Sequence, residues 1–283
     1  MSAIKKVDSQ QGPGELSDED FEIFRELIRS WAGISLTGAK KELVKTRLRS
    51  AVQAKEFASF SEYAQWLLNL DPNEEGGQEF INLLTTNKTD FFREPKHFEF
   101  LEKTLIPEWL KGSQKDFKIW SCASSTGEEP YTLSMCLNLM LPKDRSYQIL
   151  ATDIDTQVLA KAQNGVYPAS LISQIPERYQ STSVSLGHGE VKGWMKIKKT
   201  IREPLLFKQF NLIESKIPET SFDVIFCRNV LIYFSPETIE LVINKLYKAA
   251  KPGAYLFIGH SESLQNINHS WKSVGPSIYR RGE

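Results

Sequence analysis

The sequence predicts an α/β protein: a doubly wound, Rossmann-like parallel sheet preceded by an all-helical domain. Three observations carry this prediction. The segment Phe117–Pro130, FKIWSCASSTGEEP, passes from an apolar strand pattern through a small-residue loop into a helix. Glu128, Glu129 and Pro130 fill its first turn, where proline's missing N–H costs nothing. The segment Ile149–Asp155, ILATDID, is a second apolar strand ending on an acid, Asp153. Strand and helix patterns then keep alternating toward the C-terminus, whereas residues 17–86 carry helical periodicity alone.

Taken in order, MSAIKKVDSQQGPGE has no apolar core, so residues 1–16 read as a polar, flexible tail. Ser17 is positioned to cap a helix with Asp20 three residues on, followed by Phe21, Phe24, Leu27, Ile28 and Trp31 at helical spacing. Further helices are predicted over about 39–55, 61–70 and 74–86, giving a helical domain over 17–90. The second domain, 91–283, opens with a helix over about 96–111. It continues as strand 117–122, helix 129–140, strand 147–152, helix 156–163, strand 222–227, helix 236–250 and strand 254–259, with Pro252-Gly253 turning the chain between the last two. Between 166 and 203 the rhythm breaks. Gly187, Gly189 and Gly193 punctuate a stretch whose VKGWMKIKK run predicts an inserted antiparallel β subdomain.

Composition sets limits on function. The 283 residues are 41% hydrophobic and 25% charged, ordinary for a globular protein, with a formal net charge of zero. There is therefore no bulk electrostatic case for nucleic acid or membrane binding, and no apolar run approaches the ~20 residues of a membrane helix. Cys122, Cys136 and Cys227 have no C-x-x-C spacing, which suits a reducing cytoplasm. The four histidines are scattered, so no metal site is expected.

Strand, tight loop, helix, strand, acid is the first half of a nucleotide-binding sheet, with Asp153 placed to accept ribose hydroxyls. The loop Ser121–Gly127 has one glycine and no G-x-G-x-x-G. A glycine-rich loop lets the backbone approach a pyrophosphate, so its absence argues for an adenosyl ligand without phosphates. S-adenosylmethionine fits that description.

Six blocks occur in one order: TTNKTDFFREPKHF (85–98), WSCASSTGEEPY (120–131), ATDID (151–155), FNLIE (210–214), FDVIFCRNVLIYF (222–234) and KPGAYLFIGHSES (251–263). Together they closely resemble the chemotaxis receptor glutamate methyltransferases, the CheR family, over about residues 17–281. The resemblance implies a helical N-terminal domain, an S-adenosylmethionine-binding domain with an inserted β subdomain, and methyl transfer to glutamate carboxylates of chemoreceptor helices, leaving S-adenosylhomocysteine. It implies cofactor contacts at Asn87, Thr89, Arg93, Glu129, Asp153, Asn211, Leu212, Arg228 and Asn229.

Each residue also has a plainer reading. Asp153 could be a solvated acid or a helix cap, although Asp155 is the better-placed cap. The helix dipole would favour Glu128 and Glu129 equally, and only the resemblance selects Glu129, for the ligand's amino group. Arg93 could pair weakly with Glu94 at the surface. A guanidinium fork at a domain junction suits a carboxylate better, either the cofactor's or the incoming glutamate's. Asn87 and Thr89 share that junction and would close over the cofactor. Asn211 and Leu212 follow a short strand and would contact adenine, though Leu212 could simply be core. Arg228, Asn229 and Tyr233 follow the strand 222–227 at its carboxyl edge, without the Pro-Pro-Tyr pattern of amide- and base-directed methyltransferases. Tyr233 could donate to the reacting carboxylate or pack as an aromatic.

A glutamate acceptor, with a pKa near ~4.3, is already an anion at neutral pH and needs no general base. Arg93 and Tyr233 are therefore expected to orient it rather than move protons. The segment 38–57 carries Lys40, Lys41, Lys45, Arg47, Arg49 and Lys55 against Glu42 and Glu56. A solvated face is the plain reading of such a run, but a basic helix could also dock on acidic receptor helices, with Lys40, Lys41, Lys45, Arg47 and Arg49 as the recognition set. The β subdomain could take a receptor's C-terminal peptide by strand addition or serve as a structural lid. The expected setting is the cytoplasm, with recruitment to membrane chemoreceptor arrays. The alternatives are a non-catalytic module that senses S-adenosylmethionine or scaffolds receptors, and a carboxyl methyltransferase for another signalling protein. Zero net charge and the missing Pro-Pro-Tyr weigh against nucleic-acid methylation.

Overall fold

The computed structural model describes residues 13–218 and 221–282. The N-terminal part of the tail expectation lies outside the described residues. The chain divides into two compact units, 1–86 and 87–283. Asn87 and Thr89 thus fall in the second unit, because Asn87 is already bonded into the sheet half through Asp155 and Ser125.

The first unit is four helices: α1 (Asp18–Ala32), α2 (Lys41–Ala54, entered by a 3-10 turn over Gly38–Lys40), α3 (Phe60–Leu67) and α4 (Glu75–Leu84). Ser17 caps α1 by accepting from the Asp20 N–H, and Gly33 closes it in the left-handed conformation at φ 73°. The apolar stripe read from the sequence is the core: Phe24 and Ile28 are fully buried, and Phe24 packs on Tyr63 and Phe80. Leu16, just before the cap, is also buried.

The second unit opens with α5 (Pro95–Phe100), a π-helical turn over Leu101–Leu105, and α6 (Ile106–Leu110). The sheet half then runs β1 (Asp116–Ser121), α7 (Glu128–Met140), β2 (Ser146–Asp153) and α8 (Thr156–Asn164). The insertion follows: β3 (Val166–Pro168), α9 (Glu177–Ser183), β4 (Val184–Leu186), β5 (Trp194–Ile197) and α10 (Lys199–Arg202). The chain finishes with β6 (Leu205–Gln209), β7 (Phe222–Cys227), α11 (Pro236–Ala249), β8 (Ala250–Ile258), β9 (Lys272–Gly275) and β10 (Ile278–Arg280).

The seven-stranded sheet has the order β6-β2-β1-β7-β8-β10-β9. Its first five strands are parallel, in the doubly wound half-order with a switch point at β1, and β10 pairs antiparallel with β8. Strand registers set Ser121 beside Ala151 and beside Phe226, so the carboxyl ends of β1, β2 and β7 lie together. The near-continuous apolar runs of these strands are what a sheet covered on both faces requires: Ile119, Trp120, Ile225 and Phe226 are all fully buried. The insertion is a separate antiparallel sheet, β3-β5-β4, as the VKGWMKIKK pattern predicts.

One expectation needs correction, and one element was not foreseen. Pro252-Gly253 does not separate two elements: both residues lie inside β8, which starts at Ala250 opposite Phe222. The pairing shifts between Phe222 and Val224, and Gly253 at φ 76° absorbs the kink; irregular pairing of this kind is where a strand tolerates proline and glycine. The β9–β10 hairpin was not expected at all, because its Gly275-Pro276-Ser277 turn interrupts two strands too short to show a period.

Candidate functional site

Glu129, Asp153, Asn211, Leu212, Arg228, Asn229 and Tyr233 follow β1, β2, β6 and β7 at the carboxyl edge of the sheet, and Asn87, Thr89 and Arg93 come from the segment ahead of α5. The loop after β1 begins at Cys122, whose N–H donates to the Phe226 carbonyl, and continues with the Ser124 N–H donating to the Thr152 carbonyl. Gly127 ends it at φ 99°, and a Cβ there would lie 2.9 Å from the Tyr167 oxygen and from the Ala162 Cβ. This single glycine is therefore required by backbone and by space. It starts α7 such that Glu128 and Glu129, equivalent by helix dipole, diverge. Glu128 accepts from Thr126 Oγ1 beside its own loop. Glu129 turns to the sheet, accepting from Ser121 Oγ at 2.7 Å and from Arg228 Nη1 at 2.9 Å.

Asp153, at the end of β2, is buried. Its Oδ2 accepts from the Ser125 N–H at 2.8 Å and its Oδ1 from the Asp155 N–H at 3.0 Å. Burial raises its pKa to about 6, against the opposing pull of these backbone donors. Asp155 takes the capping role, accepting from the Gln157 and Val158 N–H groups of α8 and from Asn87 Nδ2. Asp153 is thus free of the helix start. Asn87 also accepts from Ser125 Oγ through its carbonyl, which joins segment 87–94 to the loop carrying Asp153's donor.

Arg228 follows β7 and is the centre of the site. Its side chain is 1% exposed and lies between two carboxylates, Glu94 Oε2 and Glu129 Oε2, each at 2.9 Å. Its Nη2 also donates to the Arg93 carbonyl at 2.6 Å, and its face lies over the Phe98 and Phe226 rings. One cation against two carboxylates leaves one negative charge uncompensated. Burial alone would raise Glu94, but Arg228 and the donors from His260 and Asn229 hold its pKa at about 2. For Glu129, burial outweighs Arg228 and Ser121, and the pKa goes up.

The alternative pairing of Arg93 with Glu94 does not form. Arg93 Nη1 donates to the Lys88 carbonyl, and the other arms make no hydrogen bond among the described residues. Thr89 is half-buried in the same segment. Asn229 sits at φ 59°, a left-handed position that asparagine tolerates, with its Nδ2 on Glu94 Oε1 at 3.2 Å. Tyr233 is half-buried at the end of a 3-10 turn over Leu231–Tyr233. Asn211 shapes the loop after β6 by accepting from the Ile213 N–H, and Leu212 is buried in the core cluster around Trp120.

Two residues in the quoted blocks carry more of the site than their sequence context suggests. Glu94 binds Arg228, Asn229 and the His260 N–H, and is itself left-handed at φ 58°. Glu262 accepts from the N–H groups of Asn229 (2.9 Å), Leu231 (2.7 Å), Ile232 (3.3 Å) and Gly259 (2.5 Å), so it moulds the loop that presents Arg228, Asn229 and Tyr233. Helix-start logic cannot find either, because both act across long sequence separations. Glu94, His97 and His260 also have the composition of a metal-ligand set. However, Arg228 already holds the Glu94 carboxylate, and a metal ion would have to displace that cation. His97 is buried beside it, which lowers its pKa to about 3 and keeps it neutral.

An adenosyl ligand with an amino-acid end fits these residues. The ionised Asp153 has lone pairs left for hydroxyl donors, the surplus carboxylate charge suits an ammonium, and the buried Ser124 Oγ and Arg228 Nε have no hydrogen-bond partner among the described residues. A doubly wound sheet with this site defines an S-adenosylmethionine-dependent methyltransferase. The family model "CheR methyltransferase, SAM binding domain" matches residues 87–279, and "CheR methyltransferase, all-alpha domain" matches residues 19–85. A Pseudomonas aeruginosa chemotaxis protein methyltransferase 2 is 36% identical over 92% of this chain and 92% of its own length. The Borreliella burgdorferi chemotaxis protein methyltransferase is 35% identical over 88% and 89%, and the Escherichia coli one 32% over 93% and 91%. The chain belongs to the CheR methyltransferase family.

In the helical unit, the five basic candidates are not equivalent. Arg47 Nη1 donates to the Leu84 and Thr85 carbonyls at 3.0 and 2.6 Å, satisfying the C-terminal end of α4. Lys41 pairs with Asp18, and Lys45 with Glu15. Lys40 and Arg49 are exposed and make no ion pair among the described residues.

Proposed function

We propose that this chain transfers the methyl group of S-adenosylmethionine to glutamate side chains on the cytoplasmic helices of chemoreceptors, forming methyl esters. The observation that carries the reading is Arg228 fixed between Glu94 and Glu129, with the buried Asp153 at the carboxyl end of β2 in the same sheet, in a chain of this family. S-adenosylmethionine supplies an electrophilic methyl on a sulfonium. Asp153 accepts the ribose hydroxyls, Glu129 the α-ammonium, and Asn87 and Thr89 close the segment over them. Asn211 and Leu212 border the adenine. Arg228 and Asn229 hold the pocket's shape and charge rather than approach the acceptor, since both Arg228 terminal nitrogens are already engaged.

Arg93, with arms left over, and Tyr233 orient the incoming carboxylate. No base is needed, because that carboxylate is already ionised at neutral pH. Receptor helices are acidic partners for α2 and the 3-10 turn that enters it, and the exposed Lys40 of that turn and Arg49 of α2 give the greater share of that attraction, with Lys41, Lys45 and Arg47 adding to the field. The antiparallel insertion offers β4 as an edge strand to an extended receptor segment. No helix among the described residues is long and apolar enough to cross a membrane, so recruitment to receptor arrays would come from these contacts.

The test is transfer of labelled methyl to purified receptor cytoplasmic fragments, followed by mild alkali. Label that enters the receptor and leaves as methanol is the expected result. Incorporation that resists alkali would refute carboxyl methylation.

A further inference from the structure

The insertion reaches back into the cofactor side of the sheet. Gln174, at the end of its 3-10 segment Ala169–Gln174, clasps the loop that leads to Arg93 with both ends of its amide. Its Oε1 accepts from the Phe91 N–H at 3.0 Å, and its Nε2 donates to Asp90 Oδ1 at 3.0 Å. The loop it holds is strained: Phe92 and Glu94 are non-glycine residues at φ 53° and φ 58°. Such conformations persist only where surrounding contacts over-determine them. Here the Phe92 N–H donates to Thr132 Oγ1 at 3.1 Å, and the Phe92 ring stacks on Tyr179 of the insertion, with centroids 5.0 Å apart. The strained loop then delivers the Arg93 carbonyl and the Glu94 carboxylate to Arg228.

We propose that Gln174 is a positioning residue for methyl transfer. It fixes residues 90–94 from the insertion, so that Arg93, Glu94 and, through Glu94, Arg228 and Asn229 stand ready before the cofactor binds. A glutamine suits this task because it needs one acceptor and one donor at once, for the Phe91 N–H and for the carboxylate of the preceding residue, Asp90. The inference rests on the S-adenosylmethionine reading of the site and assigns the insertion a catalytic-loop brace in addition to any partner it binds.

Q174E keeps the acceptor for Phe91 but sets a carboxylate against Asp90, and the double variant D90N/Q174E restores a donor and acceptor with their direction reversed. Calorimetric titration with S-adenosylhomocysteine and with 5′-methylthioadenosine, which lacks the amino-acid end, reads the effect. Q174E should weaken S-adenosylhomocysteine about fivefold or more, the scale of a lost and reversed hydrogen bond, and change methylthioadenosine binding by less than about twofold. The double variant should recover most of the loss. Wild-type affinity in Q174E, equal weakening of both ligands, or no recovery in the double variant would overturn the inference. Wild-type protein that binds neither ligand would instead overturn the reading of the site itself.

Discussion

Asp153 is the residue whose chemistry is most sharply tied to pH. Burial raises its pKa to about 6, and it must be ionised to accept two hydroxyl donors while retaining the Ser125 and Asp155 N–H bonds. If only the ionised form binds, the apparent dissociation constant carries a factor of one plus the ratio of protonated to ionised Asp153. That factor is about 1.1 at pH 7 and about 11 at pH 5. The sign for folding is opposite. A carboxyl raised from 3.8 to about 6 in the native state costs stability as pH climbs through that window, by about 3 kcal/mol once fully ionised. Calorimetric titration of S-adenosylhomocysteine between pH 5 and 7 is the assay, with D153N as control. The variant should bind more weakly by about 1.5–3 kcal/mol, the scale of hydrogen bonds to a charged group, and should lose the share of the pH dependence that Asp153 carries. A flat wild-type profile, or the same slope in D153N, would refute the argument that burial of this carboxylate governs cofactor affinity.

Three further outcomes follow from the same geometry. R228A leaves Glu94 and Glu129 buried without their cation, and urea denaturation should show a loss of about 3–5 kcal/mol together with failure to bind S-adenosylhomocysteine. E262Q replaces an acceptor of four backbone N–H groups by an amide that can present only one oxygen. It should cost about 1–3 kcal/mol in stability and raise the KM for S-adenosylmethionine more than it alters receptor affinity. K40E and R49E should depress kcat/KM for receptor fragments most at low salt with an unchanged melting temperature, whereas R47E should lower the melting temperature because Arg47 satisfies the end of α4; equal behaviour of the three would show that α2 does not discriminate in this way.

How much of this was legible in the sequence depends on the range of each interaction. The Ser17 cap, the α1 stripe and the β1–α7–β2 unit are local patterns, and the chain states them directly. The order of the remaining strands needs pairing partners far along the chain; the β9–β10 hairpin, although local, is made of strands too short to show a period, and the kink inside β8 looked like a boundary. The site divides in the same way. The placement of Asp153 was legible because it ends an apolar strand and leaves the cap of the next helix to Asp155. The division of labour between Glu128 and Glu129 was not, because it is decided by Arg228, 99 residues beyond Glu129. Glu94 looked like a surface partner for its neighbour Arg93, and its real partner lies 134 residues away. Arg47 looked like one more cation on a basic face, and only the packing of α4 shows that its guanidinium is committed to backbone carbonyls.

The Arg228 cluster also bears on why the site tolerates its own charge. A buried ion triad is weakly stabilising at best, since desolvation consumes most of the Coulombic gain. Its value lies in where the uncompensated charge falls. In transfer to a carboxylate, a cation and an anion annihilate, so a fixed counter-ion for the sulfonium would stabilise the ground state more than the transition state. An α-ammonium keeps its charge throughout, and a carboxylate facing it contributes equally before and after transfer. By pairing with Glu94 and Glu129 together, Arg228 leaves its own cluster one carboxylate in excess rather than two. That single excess charge matches the ammonium, and the cluster has no second carboxylate left over for the sulfonium. On the proposed reading, the carboxylate count around Arg228 serves binding, and the chemistry is served by what that count leaves out.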